Sequence, residues 1–328
     1  MRAAVLEEPG EEPVVRDHPE PAEAAGATLV TVTAAPIVPL DQLIASGRSY
    51  WGPPPVPYVP GDQGVGVVER SAVLPAGARV FVETRAGRVP RDGSLAERCA
   101  VPDCDVVPVP DDVPDPLAAA LGMSGVAAWM ALTERARVQP GERVVVLGAG
   151  GTVGQLTVGL ARLLGAGRVV GVCRSETAAS RAAAAGADEV VPLPDGDEDA
   201  DVDALPARLQ EAVGGAADVV VDLVFGVAAA AAARALAPFG RLVNIGGLSG
   251  DTAVFSSAVL RSRSASLLGH TNALLTAEQR RTALDAVFAH AAAGRLAVAH
   301  EVLPLAEVTT AWRRQATGSP GGRLVLTP

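Results

Sequence analysis

The sequence predicts an α/β protein in which a β-rich part is joined to a doubly wound parallel sheet. Three observations predict it. Up to about residue 115, short apolar runs at 3–6, 27–34, 64–69 and 79–82 are bounded by Gly, Pro or Asp, which is a strand-and-turn signature. From Glu142 onward, strand-like apolar runs alternate with helix-like ones. The first of those runs, 143–147, passes straight into a glycine-rich turn followed by an apolar helical stretch.

Taken in order, Pro53, Pro54, Pro55 and Pro57 mark an irregular loop after the second strand run. Residues 116–132 are Ala-rich and read as a helix. The alternation then gives strands at 143–147, 168–172, 188–191, 218–224 and 241–245, with helices at 153–164, 177–185, 205–213 and 228–236 between them. A helix is expected over 277–293, and a final strand over 323–326 that returns to the first part. The acidic segment 194–203 lacks the Gly and Glu spacing of a calcium loop and reads as a solvated surface loop.

The 328 residues are enough for two cores. Aromatic residues make up 3% of the chain, so those cores rest on Ala, Val and Leu. The net charge of −10, with every basic side chain an Arg and none clustered, argues against nucleic acid as a partner. Three cysteines (Cys99, Cys104 and Cys173) are too few and too odd in number for a disulfide framework. No leader-like segment opens the chain and no uninterrupted apolar run of spanning length is expected, so the reading is a soluble cytoplasmic protein without a membrane partner.

The turn Gly148, Ala149, Gly150, Gly151, Thr152, Val153, Gly154 carries the most weight. Glycines allow a tight turn and close approach of backbone N–H groups to a pyrophosphate, and the following helix N-terminus presents positive partial charge to it. The next strand ends Cys173, Arg174, Ser175, with no carboxylate at its tip. A planar guanidinium there suits the 2′-phosphate of NADPH, with the Ser175 hydroxyl as a second donor.

These residues bring a family into view. The chain resembles the zinc-free medium-chain dehydrogenase/reductase superfamily, on its quinone oxidoreductase-like (zeta-crystallin type) branch. The resemblance lies in the opening 1–5, in 60–69 around Pro60 and Gly61, in 93–97, in the glycine turn, in 240–247 and in the ending 322–328. It implies a GroES-like β-rich catalytic domain, 1–118 and 271–328, interrupted by a Rossmann NADP-binding domain, 119–270. It adds Val224, Ile245, Gly246 and Gly247 to the cofactor-binding residues. It also implies a homodimer formed through the strand near 265–269.

In zinc-dependent members a Cys and a His ligate the metal. The corresponding positions here are Val38 and Asp62, so no metal is expected. Cys99 and Cys104 read as small hydrophobes, or as a redox pair. Hydride delivery to a quinone or an α,β-unsaturated carbonyl leaves an oxyanion that needs a donor or a proton. The resemblance points to the loop around Tyr50 for that role. Arg48, Trp51, Val38, Asp41 and His270 are the expected pocket residues, Asp41 doubling as a helix cap. Val38 stands where relatives often carry Asn, and Ala127 where many carry Thr, which implies an altered pocket. An enoyl or alkenal reductase of a biosynthetic pathway is an alternative, and so is an NADPH-binding protein without hydride transfer.

Overall fold

The computed structural model describes every residue of the chain except 23, 50, 194–198 and 319–320, and leaves the side chains of 199–202 undescribed. In chain order the elements are β1 (Arg2–Val5), β2 (Val14–Asp17), β3 (Ala27–Pro36), α1 (Pro39–Ala45), β4 (Gln63–Arg70), β5 (Arg79–Glu83), β6 (Arg98–Pro102), β7 (Val106–Pro108) and α2 (Asp115–Met130). There follow β8 (Arg143–Leu147), α3 (Thr152–Leu163), β9 (Arg168–Cys173), α4 (Glu176–Ala184), β10 (Glu189–Pro192), α5 (Asp199–Val213), β11 (Ala217–Asp222), α6 (Gly226–Ala233), β12 (Leu236–Asn244), α7 (Ser257–Arg263) and β13 (Ser266–Gly269). The chain closes with α8 (Ala277–Ala292), β14 (His300–Pro304), α9 (Val308–Ala316) and β15 (Arg323–Thr327). It divides into two compact units, Met1–Gly122 with Ala277–Pro328, and Met123–Thr276. The acidic segment read as a surface loop lies largely outside the described residues.

In the first unit, a seven-stranded sheet runs β14-β15-β3-β4-β5-β7, with β6 also paired to β3. The ten residues of β3 alternate buried with half-buried over most of their length, as a strand with one face on a core must. Val30, Val32, Val68, Val80, Val82, Leu95 and Val101 share that core with Leu305, Val308, Trp312 and Leu324 from the C-terminal segment. The last strand does return. Val325 and Leu326 of β15 pair antiparallel with Pro36 and Ala35 of β3, and β15 pairs parallel with β14.

The second unit is a six-stranded, wholly parallel sheet in the order β10-β9-β8-β11-β12-β13. Renumbered from β8, that is 3-2-1-4-5-6, the doubly wound order of a Rossmann fold. Val144, Val145, Val146 and Leu147 of β8 are all fully buried. A central strand covered on both faces reads as such a continuous apolar run. Each of these side chains contributes roughly 1.5–3 kcal/mol by leaving water.

The helix expected over 116–132 exists with a break. Gly122 has φ 23° and ψ −133°, outside the helical region. A Cβ at Gly122 would lie 2.7 Å from both Gln63 Oε1 and the Phe81 ring, so the break is a place only glycine fits. The stretch Asp115–Arg135 meets the length and hydropathy of a membrane-spanning helix, although Pro116 and the break at Gly122 interrupt it. Its most apolar window is 72% buried in the fold, as a core helix is. Cys99 is buried and Cys104 exposed, and both are free thiols, so the two do not form a pair.

Candidate functional site

The order of the second unit's sheet reverses between β8 and β11. Loops after the carboxyl ends of these two strands leave in opposite directions and open a crevice. β8 ends at Gly148, whose φ of +80° is a left-handed conformation natural to glycine. Its N–H donates to Val172 O at 3.0 Å, and Gly151 N–H donates back to Gly148 O at 3.1 Å, which closes the turn. Two glycines are there for packing. A Cβ on Gly150 would sit 2.4 Å from Ala178 Cβ, and one on Gly154 would sit 2.2 Å from Gly148 O. Gly151 differs, since nothing stands closer than 3.5 Å to its missing side chain. It is exposed and is the residue before α3, and no side chain caps that helix. The uncapped first-turn N–H groups of Thr152, Val153 and Gly154 therefore face an approachable backbone, an arrangement that suits an anion.

At the end of β9, Cys173 is buried, and burial raises its thiol pKa against the pull of the Gly150 N–H. Arg174 and Ser175 are exposed. Ser175 is the N-cap of α4, with Oγ accepting from Ala178 N–H at 3.2 Å. Arg174 forms no ion pair among the described residues, and Glu176 starts α4 without meeting it. Its one side-chain hydrogen bond to a described residue runs from Nη2 to Ser249 Oγ, at 2.6 Å.

Two residues missed by sequence reasoning frame the far side of the crevice. Asp222, fully buried at the end of β11, accepts from Val224 N–H at 3.1 Å, from Phe225 N–H at 2.9 Å and from Asn244 Nδ2 at 2.9 Å. Asn244 also donates to Gly246 O at 2.7 Å. Burial raises the Asp222 pKa, opposed by these donors. This pair holds the expected residues Val224, Ile245 and Gly246 in place, and Ile245 N–H donates to Asp222 O at 2.8 Å. The signal was there, since each is a polar residue closing an apolar strand run. His270 follows β13. Its Nε2 lies 3.0 Å from Asn272 Oδ1 and its backbone N–H donates to Asn244 O at 2.9 Å. Burial lowers its pKa, with Arg135 adding to the effect, so the ring is neutral at neutral pH.

The other expected pocket residues belong to the first unit. Val38 precedes α1 and is nearly buried, at 9% exposure. Asp41 is buried in the first turn of α1; its Oδ2 accepts from Val38 N–H and its Oδ1 from Asp62 N–H, both at 2.8 Å. Arg48 is exposed. Tyr50 lies outside the described residues. Trp51, partly in solvent, lies under the guanidinium of Arg88, 5.3 Å from its ring centroid. Arg88, not singled out from the sequence, pairs with Asp62 and with Glu83, the latter at 3.2 Å. Asp62, at the position of a zinc ligand in metal-dependent relatives, is thus committed to a guanidinium. Among the described residues no group of three or more His, Cys, Asp or Glu is placed to hold a metal ion.

Comparison with known proteins agrees with this architecture. A family model described as zinc-binding dehydrogenase matches residues 152–289, a span that excludes positions 38 and 62. A component of the phenolphthiocerol/phthiocerol polyketide synthase of Mycobacterium tuberculosis is 31% identical over 229 residues, covering 67% of this chain and 10% of that protein. Quinone oxidoreductase-like protein 2 of Rattus norvegicus is 30% identical over 233 residues, covering 70% of this chain and 63% of that protein. The chain therefore spans less than two thirds of the length of either relative. A mycobacterial protein solved in complex with NADPH superposes over 100% of both chains, with a TM-score of 0.86 and 26% identity. With the strand order, the glycine turn and the replaced ligand positions, the chain belongs to the medium-chain dehydrogenase/reductase superfamily, as a zinc-free, quinone oxidoreductase-like protein.

Proposed function

We propose that the chain is an NADPH-dependent oxidoreductase that transfers hydride to a quinone or an α,β-unsaturated carbonyl without a metal. The observation that carries this reading is the crevice of the second unit. A glycine turn and an uncapped helix end are ready for a pyrophosphate, and Arg174 stands at the β9 tip with no carboxylate partner among the described residues. The mycobacterial neighbour with NADPH bound supports the same cofactor. When bound, that cofactor supplies the hydride. The chain's own part is to hold the pyrophosphate on the N–H groups of 152–154, the ribose phosphate on Arg174, and the nicotinamide half along Val224 and 245–247. Neutral His270 is a hydrogen-bonding group beside that edge, not a fixed charge. Arg48, Trp51 and Val38 are proposed to meet the acceptor, with Tyr50 as donor to the developing oxyanion.

The polyketide synthase relative favours a second reading, an enoyl or alkenal reductase of a biosynthetic pathway. Loss of reduced-nicotinamide absorbance separates the two across a benzoquinone, a phenanthrenequinone, a 2-alkenal and a crotonyl thioester. Fast turnover of the quinones alone selects the first reading; turnover of the alkenal or thioester alone selects the second. Nucleotide binding with no acceptor reduced overturns both and leaves a binding protein. In the same assay, Arg174→Ala is expected to raise KM for NADPH about 10- to 100-fold, the worth of a charge-assisted hydrogen bond, and to leave NADH unchanged.

We further propose a cytoplasmic homodimer that pairs along β13. That strand is the open edge of its sheet, with its Leu267 39% exposed and Phe239, on the neighbouring β12, 75% exposed. An uncovered edge of this kind is a template for a second copy. Sedimentation should show a dimer, and Leu267→Asp a monomer; a wild-type monomer removes the proposal.

A further inference from the structure

We propose that Ser249 is a second residue setting the cofactor preference, because it holds the Arg174 guanidinium and competes for it with the ribose phosphate. The inference rests on the NADPH reading of the same site. Ser249 lies in the loop after β12, 75 residues from Arg174, and accepts from Arg174 Nη2 at 2.6 Å. The two ends of this bond are not neighbours in the sheet. Arg174 follows β9, whereas Ser249 N–H donates to Val224 O behind β11 at 2.7 Å. Between β9 and β11 lies β8 with its glycine turn. The Arg174 side chain and the Ser249 loop therefore meet across the mouth of the crevice, from strands two spacings of about 4.8 Å apart.

The two partners differ in freedom. Ser249 sits on a braced loop, in which Gly250 N–H closes a turn onto Gly247 O at 3.2 Å. Gly226, at φ +66°, backs directly onto Ser249; a Cβ there would lie 3.6 Å from Ser249 O. Arg174 is a long exposed side chain with no other described partner. It is the guanidinium that must move, and a dinucleotide crossing from the β9 side to the β11 side must displace this bond before Arg174 can take phosphate. Removing the hydroxyl frees Arg174 without touching its charge.

The test measures equilibrium binding of NADPH, NADH, adenosine 2′,5′-bisphosphate and 5′-AMP to the wild type, Ser249→Ala, Arg174→Ala and the double variant. Ser249→Ala is expected to bind NADPH and the bisphosphate about 3- to 10-fold more tightly, the worth of one exposed hydrogen bond, with NADH and 5′-AMP unchanged. The double variant should match Arg174→Ala. If Ser249→Ala binds NADPH equally or more weakly while Arg174→Ala loses the phosphate preference, the cofactor reading stands and the competition is refuted. If Arg174→Ala keeps the wild-type preference, the cofactor reading itself falls, and this inference with it.

Discussion

Asp41 accepts two backbone N–H bonds yet sits almost out of water, at 3% exposure. Burial raises its pKa to about 7, the Asp62 carboxylate adds to the rise, and the two N–H donors and Arg323 oppose it. A carboxyl whose folded pKa exceeds its unfolded value binds an extra proton in the native state between the two. Its contribution to stability is therefore most favourable below about pH 4 and is lost as pH rises toward and past 7. The span corresponds to about 4 kcal/mol. Asp41→Asn cannot titrate. Its denaturant stability, measured from about pH 4 to 8, should vary less than that of the wild type, whatever its absolute level; parallel curves would refute the assignment. The sequence placed Asp41 at a helix start, which is right, because Pro39 and the following apolar residues announce a helix. Its second partner, Asp62 N–H, was not legible, since 21 residues and an irregular loop separate the two.

At the scale of the element, β8 and α3 were readable because an apolar run, glycines and a helical run follow each other without interruption. The glycines within that turn are not equivalent, and only packing distinguishes them. Gly154→Ala drives a Cβ against backbone at 2.2 Å, where nothing flexible can yield. It should cost about 1–3 kcal/mol and lower the melting temperature of the second unit by several degrees. Gly151→Ala has ordinary space and φ −74°, so it should fold with near wild-type stability while placing a methyl where the pyrophosphate approaches. NADPH affinity should fall at least tenfold. A stable, tight-binding Gly151→Ala would move the pyrophosphate off this turn. The strand β12 was read too short, from 241, because Pro238, Phe239 and Gly240 punctuate it. The strand begins at Leu236 and absorbs them, with Phe239 at φ +61° and a register shift against β11 between Ala217 and Val219.

At the scale of the whole chain, the first unit is assembled from two segments separated by an entire second unit. The return of the final strand was legible, as a short apolar run at the end of the sequence. The anchoring of α8 was not, because its partners are arginines and carboxylates far apart in sequence. Arg280 meets Glu83 with Nε–Oε2 at 2.9 Å, and its Nη2 donates to Asp105 Oδ1 at 3.0 Å. Arg85 shares Asp105, and Arg88 shares Glu83 with Asp62. Three guanidiniums thus balance three carboxylates in a poorly hydrated place, where burial already pushes the pKa of Glu83 up. Arg280→Met keeps the bulk of the side chain but leaves buried negative charge uncompensated. It should cost the first unit about 3–5 kcal/mol, read from hydrogen exchange of the β5 and β7 amides. The sign of the pH dependence separates charge from packing. If uncompensated charge is the cause, the deficit shrinks in acid, as Glu83, whose pKa burial already raises, becomes protonated in the variant and no longer needs the lost cation. A deficit that stays constant from neutral to acid pH would mean that Arg280 anchors α8 by its aliphatic stem alone.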